Sequence, residues 1–436
     1  MTPRFPAPIP PAEIEAAVGS PLPPFPEDSL RAFVAHHFGR APVYTDALRK
    51  HPPPVYLLET EVLAERARRF MRAFRSVLPD TAFYYAMKSN NHPAVAAHLL
   101  KQGFGLDVSG GPELSTALGL GAREIIFSGP GKTDAELAMA VRHADRVVVL
   151  MDSTGERERL ERAAASRGTV VRAGVRLTTN PDGLWRKFGI PLEALPEFCR
   201  AARSCPHLRL EGIQFHTSWN LSPDAQAAFI ERLGRVLRGL AGEILKEIRF
   251  IDIGGGYWPE QGEWLHPGGT PEGLIRKALG QTVAAAAPRY RMPSMPIEGF
   301  AEALGPAIER HLRAAVPCRI CFEPGRWLVN DAMHILISVV DKKAPDLVIT
   351  DAGTNAVGWE RYETDYFPVL NLTRPALTEH PCHILGSLCT PHDVWGYAYW
   401  GEGIEPGDRL LIPTQGAYTY SLRQEFIKPL PEMVVV

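Results

Sequence analysis

Eight short apolar runs, each followed by a stretch with helical period, restrict this chain to a parallel β/α architecture. The runs fall at 82–87, 105–108, 124–129, 146–152, 170–177, 209–217, 247–253 and 319–323. Segments such as HPAVAAHLLKQ, GPELSTALGL and DAQAAFIERLGRVLRGL lie between them, with apolar residues three and four apart. Strand–helix alternation implies parallel pairing through right-handed crossovers. Eight units are what a closed (β/α)8 TIM barrel requires. The rival, a doubly wound open sheet, lacks the GxGxxG turn expected after its first strand.

After Arg326 the texture changes. WLVNDAMHILISVVDKK, LVITDAG, HILGSLC and DRLLIPT alternate or run β-branched with turns between. The expected architecture is α/β: a barrel over 55–326, then an all-β C-terminal domain over 327–436. Strand Val55–Glu59 is expected to join the β domain, because the barrel already has its eight strands. Residues 1–54 are proline-rich (PAPIPP, PLPPFP, HPPP), with short helical patches near 27–37 and 44–50. They suit an extension lying over the folded body or a partly ordered arm. Residues 257–297 form a connection longer than usual, expected to decorate the barrel mouth.

The chain has 436 residues, enough for two domains, and a net charge of -2. That charge provides no basic field for nucleic acid or an anionic membrane. The N-terminus carries no signal-peptide h-region and no run approaches the ~20 apolar residues of a membrane span, so a cytoplasmic location is expected. The six cysteines, Cys199, Cys205, Cys318, Cys321, Cys382 and Cys389, suggest no disulfide framework. Cys318 and Cys321 form a C-x-x-C without a second Cys/His pair, so it is taken as strand and no metal is expected.

Polar residues of chemical interest cluster at the ends of the strands, where barrel active sites assemble. Lys88 ends the first, Asp107 the second, His216 the sixth, Gly254–Gly256 the seventh and Glu323 the eighth. A lysine leaving the apolar FYYAM run loses solvation, which favours a nucleophilic amine able to form a Schiff base; a solvated loop lysine is the alternative. Three glycines let backbone amides approach a phosphate, or simply make a tight turn. Glu323 could keep a pyridine nitrogen protonated, or form a local ion pair with Arg326. His216 could stack on a flat ring or cap its strand. Together the four suit a pyridoxal-phosphate pocket.

The ordered motifs AMKSN, DVSGGPEL, FHTS, DIGGGY, EPGR, DAGTN, GSLCTPHD and GAYTYS make the chain resemble the alanine-racemase-like barrel family of pyridoxal-phosphate decarboxylases, which includes the diaminopimelate and ornithine enzymes. The resemblance runs from about Val55 onward. It implies that Lys88 carries the cofactor, His216 stacks on its ring and Glu323 meets its pyridine nitrogen. Gly254, Gly255, Gly256, Arg326, Ser218 and Tyr418 would serve the phosphate, with Asp107 and Glu113 behind them. It further implies a homodimer with shared active sites, in which Cys389 crosses from the other subunit to supply a proton and Asp393 stands in the same wall.

Three departures from the family pattern bear on the substrate. Thr390 replaces the acidic residue that usually follows the cysteine, and a neutral threonine cannot pair with a distal ammonium; the missing charged hydrogen bond is worth roughly 1.5–3 kcal/mol. C-T-P-x-D resembles members acting on modified or carrier-tethered amino acids, which makes a carrier protein a candidate partner. FHTSWN replaces H-V-G-S, which leaves Ser218 or Trp219 near the phosphate and Trp219 as a pocket wall. Arg361 stands two residues later than the expected arginine and remains a candidate anchor for a distal carboxylate, or a solvated charge. Arg176, Trp185 and Lys187 could shape the same end. The expected reaction is decarboxylation of a diamino acid or a modified or conjugated amino acid. Diaminopimelate decarboxylation proper, racemisation and a catalytically silent homologue are the alternatives.

Overall fold

The structure, a computed structural model, describes residues 14, 22–281, 283, 288–358 and 364–436. Its strands in chain order are β1 (Val55–Leu58), β2 (Thr81–Ala86), β3 (Gly105–Val108), β4 (Ile125–Phe127), β5 (Val147–Met151), β6 (Val171–Leu177), β7 (Leu208–Phe215), β8 (Phe250–Asp252), β9 (Glu263–Leu265), β10 (Tyr290–Met292) and β11 (Arg319–Phe322). There follow β12 (Met333–Ala344), β13 (Leu347–Thr350), β14 (Val369–Asn371), β15 (Glu379–Leu385), β16 (Val394–Trp400), β17 (Arg409–Ile412) and β18 (Glu432–Val435). The chain divides into two compact units, one of Leu63–Glu260 with Met295–Val329, the other of the remaining described residues.

In the first unit β2 to β8 and β11 close into a parallel barrel in the order β11-β2-β3-β4-β5-β6-β7-β8. All eight coincide with the apolar runs. Most of their residues are buried, as a barrel wrapped by helices demands; in β5 all five side chains of VVVLM are buried. Local chemistry starts the helices. Thr133 and Glu136 form a reciprocal capping box, and Ser153 accepts from the Glu156 amide. Behind these caps Lys132 is fully enclosed. Its Nζ donates to Glu156 Oε1 at 2.7 Å and to the Gly129 and Leu150 carbonyls at 2.6 and 2.8 Å.

The second unit is a β-rich domain whose sheet runs β13-β15-β16-β14-β17-β12-β1-β18. The long β12 also pairs with β13, which joins the two ends of the run from β13 to β12. Strand β1 lies between β12 and β18, antiparallel to the first and parallel to the second, so the early strand is part of the β domain as the strand count implied.

Helices Glu27–Gly39 and Ala41–Lys50 are ordered elements that pack into the core of the β unit. Leu30, Val34, Tyr44 and Ala47 share an apolar cluster with Val55, Leu336, Trp400 and Val434. Residues 261–294 also belong to the β unit. There Trp264 packs edge-on against Phe25 and Phe33 at 4.5 and 4.8 Å, burying apolar surface.

Beneath those helices lies a buried polar network. His334 Nε2 donates to Glu59 Oε1 at 2.8 Å, while its Nδ1 accepts from the Thr414 amide at 3.1 Å. Arg40 bonds the other Glu59 oxygen. His37 Nδ1 and the Tyr44 hydroxyl are 3.0 Å apart. Burial pushes His37 down to about 2, His334 to about 3 and, nearby in sequence to β9, His266 to about 4, so all three are neutral. No helix among the described residues is long and apolar enough to cross a membrane.

Candidate active site

The site grows from the period-two alternation of the barrel strands. Continuing each strand by one or two residues places Gln214 and His216 on one inward face of β7, Asp252 and Gly254 on β8, and Cys321 and Glu323 on β11. Register sets Gln214 against Asp252 and Asp252 against Cys321. Glu323 is 1% exposed, and its oxygens receive the Gln214 amide nitrogen at 3.3 and 3.5 Å. Burial would push this carboxyl up, but the Lys88 and Arg176 cations hold it below the usual carboxylate range.

Asp252 behaves oppositely. Burial, reinforced by the Glu323 charge, pushes it well above the usual range, so it is a neutral acid. Its Oδ1 accepts from the Gly254 amide at 2.8 Å. Its Oδ2 and the Gln214 carbonyl oxygen have no hydrogen-bond partner among the described residues. A proton on Asp252 supplies the donor that this cluster of acceptors otherwise lacks.

His216 is oriented by the glycine run. The Gly255 amide donates to its Nδ1 at 3.1 Å, which leaves the ring proton on Nε2. The 3.8 Å from Nδ1 to Glu323 is too long for a hydrogen bond. Burial lowers the His216 pKa, so the ring is neutral. Gly254 and Gly256 have φ of +71° and +83°, and a Cβ on Gly255 would lie 2.1 Å from the Glu323 carbonyl oxygen. With the Gly254 amide on Asp252 and the Gly255 amide on His216, only the Gly256 amide is left for a ligand.

Lys88 sits in the 3-10 turn Met87–Ser89 after β2. It is not the solvent-stripped amine expected from its strand: the side chain is 33% exposed and Nζ contacts Asp107 Oδ2 at 2.8 Å. Asp107, fully buried, also accepts from Ser128, and Arg176 donates to the Ser128 carbonyl at 3.0 Å. Asp107 therefore orients Lys88 rather than His216. Glu113 accepts from the Ser109 amide at 2.7 Å and shapes its own turn. Arg326 lies over the Trp258 ring at 4.0 Å. Ser218 is half-buried, and Trp219 is 62% exposed.

In the β unit, Cys389 is exposed and Thr390 half-buried. Asp393 is 2% exposed, and its two oxygens accept from the Thr354 and Leu388 amides, each at 2.7 Å. It ties its own turn to the segment at Thr354. Tyr418 is half-buried with φ +58°. Arg361 lies outside the described residues. Cys318 and Cys321 are buried and unbridged, and no group of three or more metal-ligating side chains occurs among the described residues.

Sequence reasoning missed Gln214, Asp252 and Ser128. The available signal was alternation, since Gln214 and Asp252 each stand two residues before a residue already singled out. The set fits pyridoxal phosphate: an amine at the end of a barrel strand, a flat neutral ring, a buried carboxylate that takes a hydrogen bond from the Gln214 amide, and glycines where any Cβ would collide.

The comparisons agree. Residues 64–330 match the family described as pyridoxal-dependent decarboxylase, pyridoxal binding domain, and the chain belongs to that family. It is thus a pyridoxal-phosphate-dependent amino-acid decarboxylase, a lyase. It is 28% identical over 407 residues to the diaminopimelate decarboxylase of Zymomonas mobilis, covering 88% of this chain and 87% of that protein. It is 26% identical over 411 residues to the L-glutamyl-[BtrI acyl-carrier protein] decarboxylase of Niallia circulans, covering 86% of each. The fold matches diaminopimelate decarboxylase from Helicobacter pylori complexed with L-lysine, with TM-score 0.73 and 22% identity over 90% of this chain and 94% of that one.

Proposed function

We propose that the enzyme removes the α-carboxylate of an amino acid whose distal end is conjugated, to a carrier or another acyl group, instead of ending in a free ammonium. The carrying observation is the turn 386–393. Its one acid, Asp393, is directed inward onto two amides, and its outward residues Cys389, Thr390 and His392 include no carboxylate. An ammonium brought there would lose water without gaining an anionic partner. The carrier-protein substrate in the name of the Niallia circulans relative favours the same class.

The residue roles follow from chemistry. Bound at Lys88, pyridoxal phosphate supplies the electron sink that receives the bonding pair when carbon dioxide leaves. Asp107 holds the Lys88 nitrogen in position for exchange with the substrate amine. His216 would cover one face of the bound ring, with its own proton held on Nε2. Glu323, ionised, would pair with the pyridine nitrogen and hold its proton. The Gly256 amide, Arg326, Ser218 and Tyr418 would take the phosphate. Cys389, from a second subunit of a homodimer, would hold the proton destined for the α-carbon, while Thr390 and Trp219 would border the distal end. The enzyme works in the cytoplasm.

A second reading, decarboxylation of diaminopimelate itself, is favoured by the Zymomonas mobilis relative. The test is carbon-dioxide release from purified enzyme with pyridoxal phosphate. Free diaminopimelate, ornithine, lysine and glutamate are compared with the same amino acids as distal conjugates. Preference for a conjugate, with both visible absorbance and release lost in Lys88→Ala, is expected. Preference for free diaminopimelate would replace the first reading with the second.

A further inference from the structure

A groove of about 430 Å³ opens in the barrel unit beside His216, within the size range of small-molecule sites. One wall is the loop after β6, where Thr179 donates its hydroxyl to the His216 carbonyl at 3.2 Å and Trp185 stands 40% exposed. The other wall is the loop after β7, which carries Trp219. Phe229 and Arg232, from the helix Asp224–Leu237, complete it.

Trp219 is unusual in two respects. It is 62% exposed, a large apolar surface left in water, and its φ of +52° lies in the left-handed region that a bulky residue avoids. Neighbouring contacts maintain that conformation. The Asn220 amide donates to the Gly256 carbonyl at 3.0 Å, and its side chain donates to the Gly255 carbonyl at 3.1 Å and to Thr217 Oγ1 at 2.9 Å. The strained backbone at Trp219 is therefore fastened, through Asn220, to the glycine run that orients His216. Strain held this firmly at a pocket mouth is characteristic of a ligand-binding position.

Charge narrows the choice of ligand. Among the described residues no acidic side chain lines the groove, and Arg232 is its one full-time cation. Arg186 and Lys187 are exposed on the same turn as Trp185. Two indoles along the walls and a guanidinium among the lining side chains suit a slender arm with an apolar, amide-containing middle and an anionic end. A free amino acid has no such middle.

We propose that this groove receives the phosphopantetheine arm of a carrier-bound amino acid, with Trp185 and Trp219 flanking its apolar middle and Arg232 meeting its phosphate. The assignment rests on the conjugated-substrate reading above.

Two measurements test it. In the first, phosphopantetheine is titrated into holoenzyme while tryptophan fluorescence is followed, with Trp219→Phe identifying the signal from that indole. Saturable quenching that weakens at least tenfold in Arg232→Glu and recovers in part in Arg232→Lys is expected. No quenching, or equal affinity in Arg232→Glu, would overturn the groove as the arm's site. In the second, kcat/KM for carbon-dioxide release from the carrier-linked amino acid is divided by that for the free one. The ratio should fall at least tenfold in Arg232→Glu and in Trp219→Ala, with Trp219→Phe retaining most of it. Carrier-linked turnover by the wild type with an unchanged ratio in all variants would sink the groove assignment alone. Turnover of free amino acids only would remove the substrate reading and the groove with it.

Discussion

The Gly255 amide donates to His216 Nδ1 at 3.1 Å, so the backbone that turns out of β8 sets the tautomer of the ring that ends β7. A side chain at Gly255 would break that relationship, because its Cβ would lie 2.1 Å from the Glu323 carbonyl oxygen. Gly255→Ala should cost about 1–3 kcal/mol by overpacking and weaken cofactor binding. The checks are thermal unfolding and titration of the visible absorbance. Gly119→Ala, where nothing lies within 4 Å of the new atom, should be neutral or stabilising in the same assays.

The enclosed Lys132–Glu156 pair gives a stability prediction away from the site. Lys132→Met leaves the Glu156 carboxylate buried without its cation and should destabilise by about 3–5 kcal/mol. Adding Glu156→Leu should recover most of the loss, since two matched apolar groups replace two charges. Urea-denaturation midpoints of both variants decide this; equal destabilisation would show that the carbonyl contacts of Lys132 matter more than its charge.

Acid sensitivity should originate in the β unit. Burial holds His266 near 4, against 6.5 in an unfolded chain. Between those values the unfolded state binds a proton that the folded state does not, so stability falls as pH drops from 6.5 toward 4. The slope from this one residue approaches about 1.4 kcal/mol per pH unit in the window. His37 and His334 extend the same trend to lower pH. His266→Phe should flatten the pH dependence of the unfolding free energy by one proton over this window, and leave it unchanged above pH 7.

Thr390 offers a gain-of-function test of the substrate reading. Thr390→Glu restores an acid directly after Cys389 and should raise kcat/KM for free lysine or diaminopimelate by roughly 10- to 150-fold, a charged hydrogen bond being worth roughly 1.5–3 kcal/mol. Competition between a free and a conjugated substrate measures the change. Asp393→Asn should not mimic it, because that carboxylate is committed to the Thr354 and Leu388 amides.

The barrel was legible because most residues of its eight strands are buried and give short apolar runs, and Lys88, His216 and Glu323 were legible because they terminate those runs. Gln214 and Asp252 were not, since a polar residue inside an apolar strand gives no sign of which buried group it satisfies. What Asp393 holds was not legible, because sequence shows a carboxylate but not the two amides it accepts from. The role of 261–294 was hidden for a similar reason: Trp264 meets Phe25 and Phe33, and nothing local predicts partners so far upstream.

Strand β1 has consequences for synthesis of the chain. One of its two neighbours is β18, at Glu432–Val435, far along the chain. A nascent chain on the ribosome holds Val55–Leu58 unpaired on that side until β18 has been made, and the cluster containing Val55 waits for Val434. The β unit thus matures only once β18 has emerged, and the exposed edge of β1 in the interim is a natural surface for a chaperone to shield.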